Sequence, residues 1–143
     1  MEIEIDGSRL FDSVQATWNL LEPSAGIALT EAHAAGIGVI VKEALANGRL
    51  TDRNSEFAFA PKLSILQTEA RKLETSVDAL VLAAVLTQPF ADVVLSGATS
   101  AEQILSNAKA CRVHPDQDTL SLLLRLAELP ETYWATRSKL PWN

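Results

Sequence analysis

The chain has 143 residues, a mass of 15.5 kDa and a formal net charge of -6, from 12 Lys+Arg against 18 Asp+Glu. This length allows one ordinary domain but not a closed eight-stranded β/α barrel, which needs roughly 200 residues or more. The acidic balance argues against binding to nucleic acid or to an anionic membrane surface. A single cysteine excludes an internal disulfide, and the chain lacks an 18-residue apolar run and a signal-peptide pattern, so we expect a cytoplasmic protein.

Residues 1–12 predict a small hairpin. Ile3 and Ile5 alternate with acidic residues, and Asp6-Gly7 is a tight-turn signal. The polar turn separates this short alternating segment from the rest of the chain. We therefore expect an N-terminal hairpin ahead of the main fold.

The next two segments predict a strand followed by a helix. Residues 14–21 are short and rich in strand-forming side chains. Ser24 is expected to cap a helix that runs to Ala35. Ile27 and Leu29 would lie on the buried face of that helix.

Residues 37–41 form an apolar run without alternation, as in a strand that is covered on both faces of a parallel sheet. With the preceding strand and helix, this run predicts a right-handed β-α-β unit. Residues 44–61 have no sustained periodicity and predict a loop. Loops of this length often form lids or binding loops.

Two helices and a strand are expected next. Residues 63–73 predict a helix, and the box from Thr75 to Asp78 predicts the start of a second helix, which ends at Thr87. This second helix is apolar almost all round, so it should be deeply packed or lie at an interface. Residues 92–95 predict a buried strand.

The remaining residues predict a turn over residues 96–98 and further helices. A capping box over residues 100–103 opens a helix that ends near Cys111, and Asp118 is expected to cap a helix over residues 120–129. Residues 130–143 are predicted to form a C-terminal tail with a short turn. The result is an α/β fold with at most three parallel strands, whose sheet has two open edges for a partner to complete.

In parallel α/β folds, ligands bind beyond the carboxyl ends of the strands. The segment after the third strand combines a glycine turn with a capped helix start, which suits a phosphate but is also what any such loop needs. Lys42 and Glu43 could form an acid/base pair or a mutually neutralising pair at the rim. Trp18 could be a stacking platform, although the core is the commoner place for such a ring.

Four segments together carry a family resemblance. They are FDSVQATWNLLEP, AAGIGVIVKEALANGRLT, QPFADVVLSGATSAEQILSNAKA and ETYWATRSKLPWN, and they extend from Phe11 to Asn143. In this order and spacing, the chain resembles the C-terminal half of an aldo-keto reductase. The resemblance implies that residues 1–143 are a single domain that forms part of a TIM-type (β/α)8 barrel, with the sixth, seventh and eighth strands and their helices.

The resemblance also implies a function in NADPH-dependent reduction of small carbonyl compounds. The family's catalytic Asp, Tyr, Lys and His belong to motifs of the other half of the barrel, and no such motif is found in this chain. We therefore expect no catalytic residue here and no activity of the chain alone. The expected partners are a complementing N-terminal half or, in a homo-oligomer, further copies of the chain.

The family's cofactor positions match particular residues of this sequence. The amide of Gln15 would hold the nicotinamide carboxamide, and Asn19 lies in the same motif. The other positions implied to surround the pyrophosphate, the 2'-phosphate and the adenine of NADP(H) are Leu45, Asn47, Gly48, Gly97, Ala98, Thr99, Ser100, Gln103 and Asn107. Many members have Lys and Arg where this chain has Gly97 and Gln103, so a weaker preference for NADPH is expected. An alternative function is a non-catalytic structural domain that associates with itself.

Overall fold

The computed structural model describes residues 3–140. The strands are β1 (Glu4–Ile5), β2 (Ser8–Arg9), β3 (Ser13–Thr17), β4 (Gly38–Lys42) and β5 (Val93–Val94). The helices are α1 (Gly26–Ala34), α2 (Ala60–Lys72), α3 (Val77–Leu86), α4 (Ala101–Asn107), α5 (Gln117–Leu124) and α6 (Pro130–Arg137). The fold is α/β, and its main sheet is parallel with the order β3-β4-β5.

The hairpin predicted at the start of the chain is confirmed. β1 and β2 pair in antiparallel fashion. Asp6 and Gly7 both adopt positive φ angles, of 52° and 76°, as a two-residue hairpin turn with the favoured twist requires.

One face of the main sheet is covered by helices, and the other is open. Val39 and Val41 are fully buried in a cluster that includes Leu29 of α1 and Ala83 of α3. α3 also joins a second cluster with α2, α5 and α6, so it is buried almost all round, as its composition predicts. The opposite face of the sheet carries Gln15, which lies beside Ile40 in the ladder and is exposed.

Two strand predictions need correction. β3 ends at Thr17 rather than residue 21, because the Asn19 side chain accepts the backbone N–H groups of Leu21 and Glu22 and turns the chain away from the sheet. β5 is not buried: Val93 is 49% exposed. It lies at the edge of the sheet and pairs only with β4 among the described residues.

The predicted helix caps were wrong in three places. α1 begins at Gly26 without a side-chain cap, because the Ser24 hydroxyl bonds to the Glu22 carboxylate instead. The cap of α3 is Ser76 rather than Thr75, and the cap of α5 is Asp116 rather than Asp118. In α3 and α5, a polar residue one or two positions from the predicted cap is the one whose side-chain oxygen accepts a free N–H group of the first turn.

Further corrections concern helix faces and helix ends. Ile27 is 78% exposed, so only Leu29 of the predicted pair is buried. α5 ends at Leu124, well before the predicted residue 129. The tail is not merely a turn, because α6 occupies Pro130–Arg137 with the proline in its first turn, where a missing N–H costs nothing. Residues 141–143 of the predicted tail lie outside the described residues.

Candidate functional site

A cleft of about 860 Å³ lies beside the carboxyl ends of β4 and β5. One wall is the segment between β4 and α2, and the other is the segment between β5 and α4. Parallel strands bring these two segments to the same edge of the sheet, which is where ligands bind in open α/β folds.

The segment after β4 is held in an unusual backbone conformation. Glu43, Ala46, Asn47 and Gly48 all have positive φ angles, of 56°, 50°, 53° and 87°. For residues other than glycine, this left-handed conformation costs about 1 to 2 kcal/mol each, so it persists only where the surroundings enforce it. We call residues 43–48 the strained loop.

Asn19 is one of the groups that fix the strained loop. Its Nδ2 donates to the backbone carbonyl of Glu43 and to the hydroxyl of Tyr133, both at 3.0 Å. Its Oδ1 accepts two backbone N–H groups in the turn after β3. Asn19 is buried and both ends of its amide are engaged within the protein, so in this arrangement it braces the loop.

The side chain of Glu43 is held by α6. Arg137 donates to both carboxylate oxygens, from Nε at 3.0 Å and from a terminal nitrogen at 3.1 Å. Tyr133 donates to the same carboxylate at 3.3 Å. The hydrogen bonding to Glu43 raises the pKa of Arg137, and burial raises the pKa of Tyr133 to about 12, so both remain protonated donors at neutral pH.

These contacts correct the prediction that Lys42, at the end of β4, and Glu43, directly after it, form a pair. Glu43 is paired with Arg137 and not with Lys42. Lys42 instead lines the cleft and makes no ion pair with any of residues 3–140. The sequence therefore identified two charged residues at the right place but not their partners.

Arg49 lines the cleft as well, but its charge is neutralised by an ion pair with Glu128. It donates two hydrogen bonds of 2.9 Å to Glu128, which also binds Lys62 at 2.8 Å. Burial raises the pKa of Glu128, but the hydrogen bonds and charges of Arg49 and Lys62 outweigh it and leave that pKa below its ordinary value. These three side chains join the residue that follows the strained loop to α2 and to the segment before α6.

The turn after β5 forms the opposite wall. Gly97 has a φ of 65°, and the hydroxyl oxygen of Ser100 accepts the N–H of Gln103 as the cap of α4. Oε1 of Gln103 accepts the backbone N–H and the hydroxyl of Thr99. The predicted cap at Ser100 is thus confirmed, but the Gln103 side chain bonds to Thr99 and not to the N–H of Ser100 as a capping box requires. Nε2 of Gln103 is the end of that amide with no bond inside the turn. Asn107 is buried and donates to the carbonyl of Ser96, so it braces the same turn.

The cleft gathers six of the predicted cofactor positions, which are Leu45, Asn47, Gly48, Gly97, Thr99 and Gln103. Ala98 and Ser100 belong to the same turn but do not line the cleft. Gln15 lies apart on the open face of the sheet, and Asn19 and Asn107 lie behind the loops that they brace. Trp18 is buried in the core, where its ring packs edge to face against Phe90. This confirms its interpretation as a core residue rather than a stacking platform.

Sequence reasoning missed several residues of the site. Arg53 lines the cleft, is exposed and makes no ion pair with a described residue. Arg53 could have been predicted, because it is a basic residue inside the binding loop that the sequence predicts over residues 44–61. Tyr133 and Arg137 gave no such signal, because their contacts with Glu43 span 90 and 94 residues.

The described part of the chain lacks the features of two other classes of function. Residues 3–140 contain no group of three or more His, Cys, Asp and Glu side chains that could hold a metal ion. None of their helices has the length and apolar character that crossing a membrane requires.

Comparison with models of known protein families identifies a family for this chain. The model of the Aldo/keto reductase family matches residues 4–127, which include the strained loop and the turn after β5. No match was found among curated proteins.

Proposed function

Because the chain belongs to the aldo/keto reductase family, we propose that it binds the phosphate-bearing part of NADP(H) in this cleft and forms part of a carbonyl oxidoreductase. The observation that carries the proposal is the gathering of six cofactor positions, predicted from separate parts of the sequence, around a single cleft. The volume of the cleft is within the usual range for small-molecule sites, about 300 to 1,000 Å³.

The charges of the cleft support an anionic ligand. Lys42 and Arg53 line it without ion-pair partners among the described residues, against the single carboxylate of Glu56, because Glu43 is neutralised by Arg137 and Arg49 by Glu128. We propose that Arg53 and Lys42 contribute to binding the pyrophosphate, because charge-assisted hydrogen bonds to phosphate are roughly twice as strong as neutral ones.

The other end of the cleft offers neutral donors. Nε2 of Gln103, which lines the cleft, and the hydroxyl of Ser100, which lies in the same turn just outside it, are the side-chain donors of the turn after β5, because the hydroxyl of Thr99 already donates to Gln103. We propose that they bind the 2'-phosphate, with Ala98 in the same turn and Asn107 beside the adenine. Neutral donors bind the 2'-phosphate less strongly than a cation does, so they distinguish NADPH from NADH less well. The affinity for NADPH should therefore exceed that for NADH by about tenfold or less.

The nicotinamide would lie outside the cleft, near the open sheet face. Gln15 is exposed there and is the residue that we propose for the carboxamide. Asn19 would contribute only by holding the strained loop.

We propose that the chain as given does not reduce carbonyl compounds by itself. Its single tyrosine, Tyr133, is fully buried and bound to Asn19 and Glu43, so it cannot reach a substrate. In this proposal, the three parallel strands are the sixth to eighth strands of the family's barrel. A complementing half would cover the open face of the sheet and supply the catalytic residues.

Self-association is a second candidate for covering the sheet. Val93 and Leu95 of the β5 segment are 49% and 43% exposed, and the outer edges of β3 and β5 have no strand partner among residues 3–140. Such edges favour pairing with further strands. Sedimentation at micromolar concentration tests this: a dimer or larger species is expected if copies pair, and a 15.5 kDa monomer would contradict it.

Calorimetric titration with NADPH tests the main proposal. Wild-type protein should bind NADPH, and Arg53→Ala should weaken binding about fivefold or more, since one charge contact to phosphate is lost. Arg125→Ala is the matched control, because Arg125 is exposed directly after α5 and does not line the cleft. It should change the affinity less than about twofold.

Two outcomes would contradict the proposal. Absence of binding at millimolar NADPH would remove the cofactor site. NADPH-dependent reduction of a carbonyl compound by the purified chain would instead overturn the statement that it is inactive alone.

A further inference from the structure

We propose that α6 is the positioning element of the cleft, and that Arg137 acts on ligand binding through Glu43. Arg137 would do so in two ways, by holding the strained loop in shape and by cancelling a negative charge that faces the ligand. This inference rests on the proposed function, because it assumes that the ligand is anionic.

The geometry shows how α6 reaches the loop. Arg137 grips the Glu43 carboxylate with two hydrogen bonds, and Tyr133 adds a third while it accepts one from Asn19. Tyr133 and Arg137 are one turn apart on α6 and both are buried. They therefore form one connected set of hydrogen bonds with the first residue of the strained loop.

The charge of Glu43 gives the second part of the argument. Glu43 lines a cleft that is proposed to hold phosphates, and an unpaired carboxylate there would repel them. The bidentate ion pair with the Arg137 guanidinium removes most of that repulsion and directs the Glu43 carboxylate towards α6. Arg137 touches no proposed ligand position itself, so it is a positioning residue.

The contact joins a matched and an unmatched part of the chain. The family model matches residues 4–127, which include Glu43, whereas α6 occupies Pro130–Arg137. The family match therefore covers only one side of the contact between α6 and the strained loop.

NADPH affinity measured by calorimetry tests the charge. Arg137→Gln should weaken binding about tenfold, because it leaves the Glu43 carboxylate unpaired beside the phosphates. The double variant Glu43→Gln with Arg137→Gln should return to within about threefold of wild type, because the repulsive charge is gone. Lys139→Gln is the control, since Lys139 is exposed just beyond α6 and should leave the affinity unchanged.

Each alternative result has a meaning. Wild-type affinity in Arg137→Gln overturns the inference. A double variant as weak as the single one overturns the charge part, because a merely structural loss would not be rescued by removing Glu43. If Arg137→Gln does not fold, the NADPH affinity of Glu43→Gln alone tests the charge argument. Binding at least as tight as in the wild type supports that argument, and clearly weaker binding overturns it.

Amide hydrogen exchange without ligand tests the positioning part separately. The amides of residues 44–49 should exchange about tenfold faster in Arg137→Gln than in wild type, while those of α3 keep their protection. Unchanged exchange in the loop would overturn the positioning role. If the wild type fails to bind NADPH, the proposed function fails, and the exchange result still decides whether α6 holds the loop.

Discussion

Replacing Asn19 by alanine should lower the stability of the chain far more than the loss of one polar side chain would suggest. The N–H of Leu21 has the Asn19 side chain as its one acceptor among the described residues, so the variant leaves this buried group unpaired. Such a group costs about 1 to 3 kcal/mol. The variant also removes the bonds that Asn19 donates to Glu43 and Tyr133.

The remaining partners limit the loss. The N–H of Glu22 still has the Asn19 carbonyl at 3.1 Å, and the Glu43 carbonyl still accepts from Ala46 at 2.8 Å. Adding about 1 kcal/mol for the bonds lost by these partly satisfied groups gives a total near 3 kcal/mol. This is a large share of the roughly 5 to 15 kcal/mol that stabilises an ordinary domain.

Urea unfolding followed by circular dichroism measures this loss. With a slope of about 2 kcal/mol/M, the midpoint should fall by about 1.5 M. Asn107→Ala is the matched control, because the side chain of this buried asparagine makes a single hydrogen bond with residues 3–140, at 3.3 Å, so that its loss should cost only about 1 kcal/mol. Equal losses in the two variants would refute the argument that Asn19 is the hub of the turn and the loop.

Three further predictions use the same unfolding assay. Leu123→Ala should cost about 3 kcal/mol, because Leu123 is fully buried in the cluster around α2, α3 and α6; a loss below about 1 kcal/mol would mean that the cluster collapses around the gap. Gly97→Ala should cost about 1 kcal/mol from backbone strain alone, since an added Cβ meets no atom within 4 Å; a much larger cost would contradict the open turn. The carboxylate of Glu128 has a lowered pKa in the folded chain. Its contribution to the free energy of unfolding is therefore full above its ordinary pKa of 4.5 and is lost as the pH falls through the lower pKa of the folded state. The difference between wild type and Glu128→Gln should therefore be constant from pH 7 to about pH 6 and shrink below about pH 4.5, and a difference that grows on acidification would show the opposite sign of linkage.

The parts of the fold that follow from local chemistry were predictable. The hairpin turn at Asp6-Gly7, the apolar helix α3 and the cap of α4 at Ser100 each depend on neighbouring residues, and each was confirmed. The errors at the other caps are equally local. Two adjacent polar residues competed at the start of α3, and only the packed structure selects which one reaches the N–H groups.

The parts that depend on distant partners were not predictable. The exposure of Val93 follows from the edge position of β5, which a four-residue apolar pattern does not encode. The ion pair of Glu43 and Arg137 joins residues 94 positions apart, and neither residue belongs to a motif that predicts the other. Sequence reasoning thus located the walls of the cleft but not the helix that holds one of them.

The hydrogen bonds between α6 and Glu43 of the strained loop also have a consequence for synthesis on the ribosome. The loop leaves the ribosome well before Arg137, and at about 5 to 20 residues per second the interval is roughly 5 to 20 s. During that time the left-handed turn lacks the partner that enforces it, while β3, α1 and β4 can already pair locally. The nascent chain should therefore acquire its sheet first and its nucleotide cleft only after α6 has emerged.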